Sequence, residues 1–439
     1  MKSSKMRRDP HASGSPAVRV IRPLRDFLAT EAAGGVLLLS AAMAALVVAN
    51  SPWKAGYREF WEARLELRLA GRSLGMDLRH WVNDGLMTLF FFVVGLEIKR
   101  ELVEGELRDR RRAALPALAA VGGMVVPALM FTMVNLGRAG ARGWGIPMAT
   151  DIAMAVGVLA VVGSRVHPAL KLFLLALAIV DDIGAIVVIA LFYSHGIDVV
   201  MLLGSSLLIG AVLMARRSGF DSIGVYGVLG MLLWFTTYRA GVHATIAGVI
   251  LGLLAPTRAA VPPDLVDEAV LVDVSTLTAA SETVRMARGS VSVVEWLEHR
   301  LHPWTSYLIV PLFAFANAGI TLDRASLRAA LSSRVTVGVV LGLVVGKTVG
   351  ISAASWLAVR SRLATMPDGL RWGDLVGVAA LAGMGFTVSL FVSGLAYADP
   401  NLQAEAKLGT LAATLLAALV GTALLRRSAR RIHGGSDDV

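Results

Sequence analysis

The chain has 439 residues, 56% of them hydrophobic and 17% charged, with a formal net charge of +10 and a mean hydropathy of +0.66. A soluble protein this apolar could not cover its own surface, so the composition points to a multi-spanning membrane protein. The absence of cysteine excludes disulfides, thiolate metal sites and cysteine nucleophiles. The positive charge lies mainly in short loops and tails between apolar runs, which is a topology signal and not a nucleic-acid surface.

In chain order, a basic tail (residues 1–26) leads into the apolar run 32–49. The small residues of "VVANS" fit a cleaved signal peptide, but the length of the tail and the many later spans favour an uncleaved first span. Runs long enough to cross a bilayer, about 20 residues each, centre on Leu39, Phe90, Met124, Val156, Val180, Leu207, Gly230, Val249, Phe313, Val344, Gly385 and Leu415. They predict an all-α polytopic membrane protein with about twelve transmembrane helices. Lys and Arg concentrate in the N-terminal tail, "EIKRELVEGELRDRRR", "GSRVHPALK", "ARRSG", "VRSRLATMPDGLR" and "RRSARR". The loops "FYSHGID", "TTYRAG" and "ADPNLQAEAK" carry little charge. Despite an arginine-rich exception at 51–80, this bias predicts that both termini are cytoplasmic.

Two internal segments do not read as spans. "LELRLAGRSLGMDL" alternates with period two on either side of a Gly-containing turn, predicting a β-hairpin over 65–78, outside the membrane. A lone hairpin is marginal, so pairing with a partner chain is expected. Residues 256–295 are polar and mixed and read as a long cytoplasmic loop; residues 428–439 form a second cytoplasmic tail.

Two spans are interrupted. "GWGIPMATDIAMAVGVLA" carries Gly143, Gly145 and Pro147 before Thr150 and Asp151, and "GVAALAGMGFTVSLFVSG" carries Gly383 and Gly385 before Thr387 and Ser389. They occupy the fourth and eleventh places, each followed by a span opening on Lys-Leu. Interrupted helices in matching halves can present backbone ends to an ion at mid-membrane.

Asp84, Asp151, Asp181, Asp182 and Lys347 all fall within apolar runs. Each ionised group there costs roughly 2.5–3.5 kcal/mol to insert, so five of them point to function. Neighbours on a helix point about 100° apart, so Asp181 and Asp182 cannot share a face. One can meet a cation, with Lys347 the obvious partner, while the other titrates. A carboxylate that titrates near ambient pH holds either a proton or a small hard cation, and that competition is the chemistry of obligatory exchange. Oxygen donors such as Thr150, Asp151 and Asp182 suit Na+ or Li+ rather than zinc or copper.

The motifs "NDGLMTLFFFVVGLEIKREL", "IPMATDIAMAVGVLA", "LALAIVDDIGAIVVIALFY", "GVHATIAGVILG", "LEHRLHPW", "VPLFAFANAGI", "GKTVG" and "GMGFTVSLF" together resemble the NhaA type of sodium/proton antiporter, in that family's order, over residues 27–427. The resemblance implies twelve helices with an inverted three-helix repeat and two broken helices crossing at mid-membrane, an arrangement for which this family is a known instance. It implies Asp182 as the shared sodium and proton seat, Asp181 as its neighbour paired with Lys347, and Asp151 and Thr150 as residues that offset helix ends. It further implies electrogenic export of Na+ or Li+ against protons in a bacterial inner membrane, with no cofactor. Switching by pH would involve Glu97, Arg100, Glu101, Glu298, His299 and His302, with His243 in the eighth span. Asp84 is an auxiliary carboxylate, and a homodimer through the 65–78 hairpin is expected. Thr348 stands where the family commonly has proline, and the loop before Glu298 is longer than usual.

Two rival readings remain at this point. An intramembrane aspartyl protease needs two aspartates converging on one site, whereas these point apart. A proton-coupled solute carrier needs a larger cavity with aromatic or amide contacts, whereas the aspartates are flanked by small and aliphatic residues.

Overall fold

The computed structural model describes residues 31–69, 72–162, 168–194, 196–218, 223–257, 292–367 and 369–433. The tail 1–26, most of the 256–295 loop, the turn of the hairpin and the last residues of the 428–439 tail lie outside them.

The described chain is overwhelmingly helical. In order come α1 (Glu31–Ala49), α2 (Lys54–Glu62), strands β1 (Arg64–Leu69) and β2 (Arg72–Asp77), α3 (Met87–Val103), α4 (Arg110–Asn135), α5 (Ile152–Val162), α6 (Pro168–Phe192), α7 (Val199–Arg217), α8 (Ile223–Arg239) and α9 (Thr245–Leu254). Then follow α10 (Val293–Trp304), α11 (Val310–Asn317), α12 (Arg324–Ser332), α13 (Arg334–Arg360), α14 (Trp372–Leu381), α15 (Phe386–Ala396) and α16 (Pro400–His433). The strands pair antiparallel with Leu65 opposite Met76 and Leu67 opposite Leu74, the same-face register that period-two alternation demands.

Among the described residues five helices are long and apolar enough to cross a membrane: α4, α6, α7, α13 and α16. Two bent pairs raise the number to seven, α1 with α2 (114°) and α14 with α15 (47°). In the first pair α2 is short and amphipathic and turns away at Ser51-Pro52, so it reads as a surface helix. The exposed side chains on these helices are themselves apolar: Met133 is 77% exposed, Leu207 76% and Met214 70%. Such faces suit lipid, not water, and the chain is a multi-pass membrane protein.

Small residues set the closest helix contacts. A side chain at Gly122 or Gly350 would run into the backbone of the other, so α4 and α13 meet backbone to backbone, as membrane helices do at small-residue crossings. The same holds where α3 meets α9: a Cβ on Gly95 would lie 2.7 Å from the Val249 carbonyl. At "TTYRAG" the chain reverses through Gly241, whose φ of +75° is the left-handed region glycine favours, and α9 begins.

Periodicity does not reveal where helices widen or tighten. Trp81–Leu86, Thr305–Ile309 and Leu341–Gly346 are π-helical turns, and Ala139–Met148 is a ten-residue 3-10 helix. Such turns often mark functional positions, and the third immediately precedes Lys347. The expected loop 256–295 ends early, since Ser292 caps α10 by accepting from the Glu295 amide at 3.1 Å. The Val294 amide also donates to the Pro256 carbonyl at 3.3 Å, so the two ends of that segment are pinned together.

Candidate ion-binding site

The site forms where two interrupted helical segments cross. One consists of the 3-10 segment, the break at 149–151 and α5; the other of α14, the break at 382–385 and α15. The breaks are tied backbone to backbone, with the Asp151 amide donating to the Met384 carbonyl at 2.6 Å. Close approach requires glycine here: a Cβ on Gly385 would lie 2.8 Å from the Ala149 carbonyl.

Helix starts carry unsatisfied N–H groups and partial positive charge. Asp151 serves two of them. As the N-cap of α5 its Oδ1 accepts from the Met154 amide at 3.1 Å. Its Oδ2 accepts from the amide and the hydroxyl of Thr387 at 3.1 and 2.9 Å, capping α15 from 236 residues away. The local cap position of α15 is Gly385, which has no side chain to offer. Helix ends carry the opposite partial charge. The Thr150 hydroxyl donates to the Ala382 carbonyl, just past α14, at 2.9 Å and accepts from Lys347 Nζ at 2.7 Å. The lysine charge therefore reaches the end of α14 through one hydroxyl.

Lys347 also donates to Asp181 Oδ2. Both are sealed, at 0% and 1% exposure. A buried ion pair survives only when its charges are matched and hydrogen-bonded, and the lysine meets that condition. Asp181 Oδ1 does not: it is buried and accepts no hydrogen bond among the described residues. Asp182, one residue on, is 8% exposed and likewise makes no hydrogen bond among the described residues. The charges of Asp181, Glu97, Lys347 and Asp151 all act on it.

The candidate residues thus separate. Asp181, Asp182, Lys347, Thr150 and Asp151 converge at the crossing, but Thr150 and Asp151 spend their oxygens on helix ends and on the lysine. Asp182 and Asp181 Oδ1 are the carboxylate positions at the crossing that accept no hydrogen bond among the described residues. Among the described residues no three acidic or imidazole side chains gather as a metal cage, so a cation here would be held by these two carboxylates and nearby backbone oxygens.

The remaining candidates fall into three places. Arg100 binds Glu298 at 2.5 Å and approaches Glu101 at 3.7 Å, linking the end of α3 to α10. Burial raises the pKa of Glu298, which lies before the apolar run of its span, and the Arg100 charge opposes that rise. His299 and His302 are exposed on the same helix. Beside this network a cleft of about 600 Å³ is lined by Glu101, Glu104, Arg108, Asp109, Arg112 and Leu172. His243 is not part of it: its Nε2 lies 3.1 Å from the Tyr193 carbonyl, and its ring meets Phe391 edge-on, at the opposite end of α6 from Leu172. Asp84 sits in the first π-turn, and its carbonyl accepts from Thr88 and from the Trp234 indole at 2.6 and 2.7 Å.

Three hydroxyls that sequence reasoning left without a role complete the crossing. Ser389 donates to the Ile146 carbonyl at 2.6 Å. Tyr397 donates to the Gly140 carbonyl at 2.7 Å. Tyr193 donates to the Arg142 carbonyl at 2.8 Å and accepts from the Gly145 amide at 3.1 Å. Together they pair three carbonyls and one amide of the 3-10 segment. The only sequence signal for the tyrosines was a polar aromatic at the end of an apolar run, which also describes ordinary interfacial anchoring.

A family model described as Na+/H+ antiporter 1 matches residues 25–425. The chain is 46% identical over 423 residues to Na+/H+ antiporter NhaA 3 of Frankia alni, covering 94% of this chain and 91% of that protein. It is 47% identical over 437 residues to Na+/H+ antiporter NhaA of Anaeromyxobacter sp., covering 96% and 95%. The NhaA of Shewanella sp. strain ANA-3 is 45% identical over 403 residues, covering 91% and 96%. Neither the protease nor the solute-carrier reading finds support among these relatives.

Proposed function

The chain belongs to the Na+/H+ antiporter 1 family and is a sodium/proton antiporter, not an enzyme, and from that premise we propose that Asp182 is the seat for which sodium and proton compete. The observation that carries this is the contrast within one helix turn. Asp181 is neutralised by Lys347, whereas Asp182 is buried yet keeps residual exposure and has no hydrogen bond among the described residues. A buried carboxylate without a donor must be neutralised by a proton or a cation. Either ligand removes the charge that bars the site from changing the side it faces, and the bare carboxylate keeps it. Exchange follows from that alternation.

On the same reading Asp181 contributes its free oxygen to the ion, and Lys347 and Thr150 balance the crossing. The transported ions are Na+ or Li+, exchanged for more than one proton, so transport is electrogenic. With twelve spans in a bacterial inner membrane both termini lie on one side, and the Lys and Arg bias of the loops makes that side the cytoplasm. The Arg100, Glu101 and Glu298 network, with Glu97, His299 and His302, lies on the path from the cytoplasm and is the seat of pH regulation; Asp84 and His243 act on the outer side. The 65–78 hairpin joins two copies of the chain. In inverted vesicles, sodium addition to the wild-type protein is expected to collapse an imposed ΔpH, and Asp182→Asn is expected to abolish the collapse. Normal exchange by that variant would end the assignment.

A further inference from the structure

We infer that Thr387 is a positioning residue for transport: it holds Asp151 as the shared counter-charge of two helix starts and so keeps its Oδ2 out of the cation's coordination shell. An ionised carboxylate oxygen offers two lone-pair sites. Thr387 fills both on Asp151 Oδ2, one with its amide and one with its hydroxyl, at 3.1 and 2.9 Å. Thr387 is 4% exposed, so water does not compete for either bond. The charge of Asp151 acts on Asp182, and a lone pair opened on Oδ2 at the crossing would offer the ion a further carboxylate oxygen. The hydroxyl is not needed to start α15, because the amide bond caps that helix by itself. Its separate effect is to complete the shell of Oδ2.

This inference rests on the assignment of the cation to Asp182, and its test separates the two. Full-length wild type, Thr387→Val, Thr387→Ser, Asp151→Asn and the double variant T387V/D151N are reconstituted, and sodium-dependent proton flux is measured over a range of Na+. Thr387→Val removes the hydroxyl and keeps the amide. Its KM for Na+ is expected to fall several-fold and its kcat to fall with it, because the freed oxygen joins the ion and slows release. Thr387→Ser restores wild-type values. In the Asp151→Asn background Thr387→Val adds nothing. A merely structural role would lower kcat without lowering KM. An unchanged KM in Thr387→Val, or the same drop without Asp151, overturns the inference while leaving Asp182 untouched. If Thr387→Val does not fold, Thr387→Ala, which also lacks the hydroxyl and keeps the amide, carries the same expectation and the same refutation. Full exchange by Asp182→Asn would instead remove the seat itself.

Discussion

The side chains at the crossing divide the work by which of their atoms are already committed. Lys347 gives two of its three donors to Thr150 and Asp181, and with 0% exposure it cannot turn to water. Removing it strands a buried carboxylate, at a cost of about 3–5 kcal/mol. Lys347→Ala is therefore expected to lower the thermal midpoint of the detergent-purified protein markedly. Adding Asp181→Asn should recover much of the loss, since a neutral amide needs no counter-ion. A double variant no more stable than Lys347→Ala would refute the pairing as the source of stability. The charged residues were legible in the sequence because a charge in an apolar run costs so much that it announces itself. Which oxygen of each aspartate stays free was not, because that depends on partners such as Thr387, more than 200 positions away.

Among the elements, the fold is governed by where helices touch backbone to backbone and where they break. The α4–α13 crossing positions Lys347: Gly122 and Gly350 abut there, and a Cβ on Gly346, in the π-turn just before the lysine, would lie 2.9 Å from Pro127 Cα. Gly350→Val would push the two helices apart, an overpacking cost of about 1–3 kcal/mol. Lys347 would then be carried away from Asp181. The expected outcome is a lower thermal midpoint together with reduced exchange; a fully active, fully stable variant would show that the crossing tolerates separation. Glycine and proline signalled both breaks in the sequence. The π-turns and the 3-10 segment had no comparable signal, since a shift from 3.6 to 3.0 or more than 4 residues per turn over a few positions leaves an all-apolar pattern unchanged.

For the whole molecule, the 258–291 segment, absent from the described residues, is bracketed by the Pro256–Val294 hydrogen bond. The hairpin stands apart from the crossing, and Leu65 is 47% exposed in the single chain. Leu65→Arg is expected to shift the detergent-solubilised protein from two copies towards one in light scattering while sodium-dependent exchange continues. A mass unchanged by the substitution would argue against that interface. The crossing also constrains how the chain is made. The Gly140 carbonyl takes its partner from Tyr397, and Asp151 takes two of its three from Thr387. Chains emerge N-terminus first, so when residues 139–151 reach the bilayer their partners have not yet been made. Until the last quarter of the chain arrives, these polar groups must be sheltered by the insertion machinery or by water. Ribosome-bound intermediates ending before residue 386 are therefore expected to be caught by membrane quality control, and completing α15 would be the step that releases them.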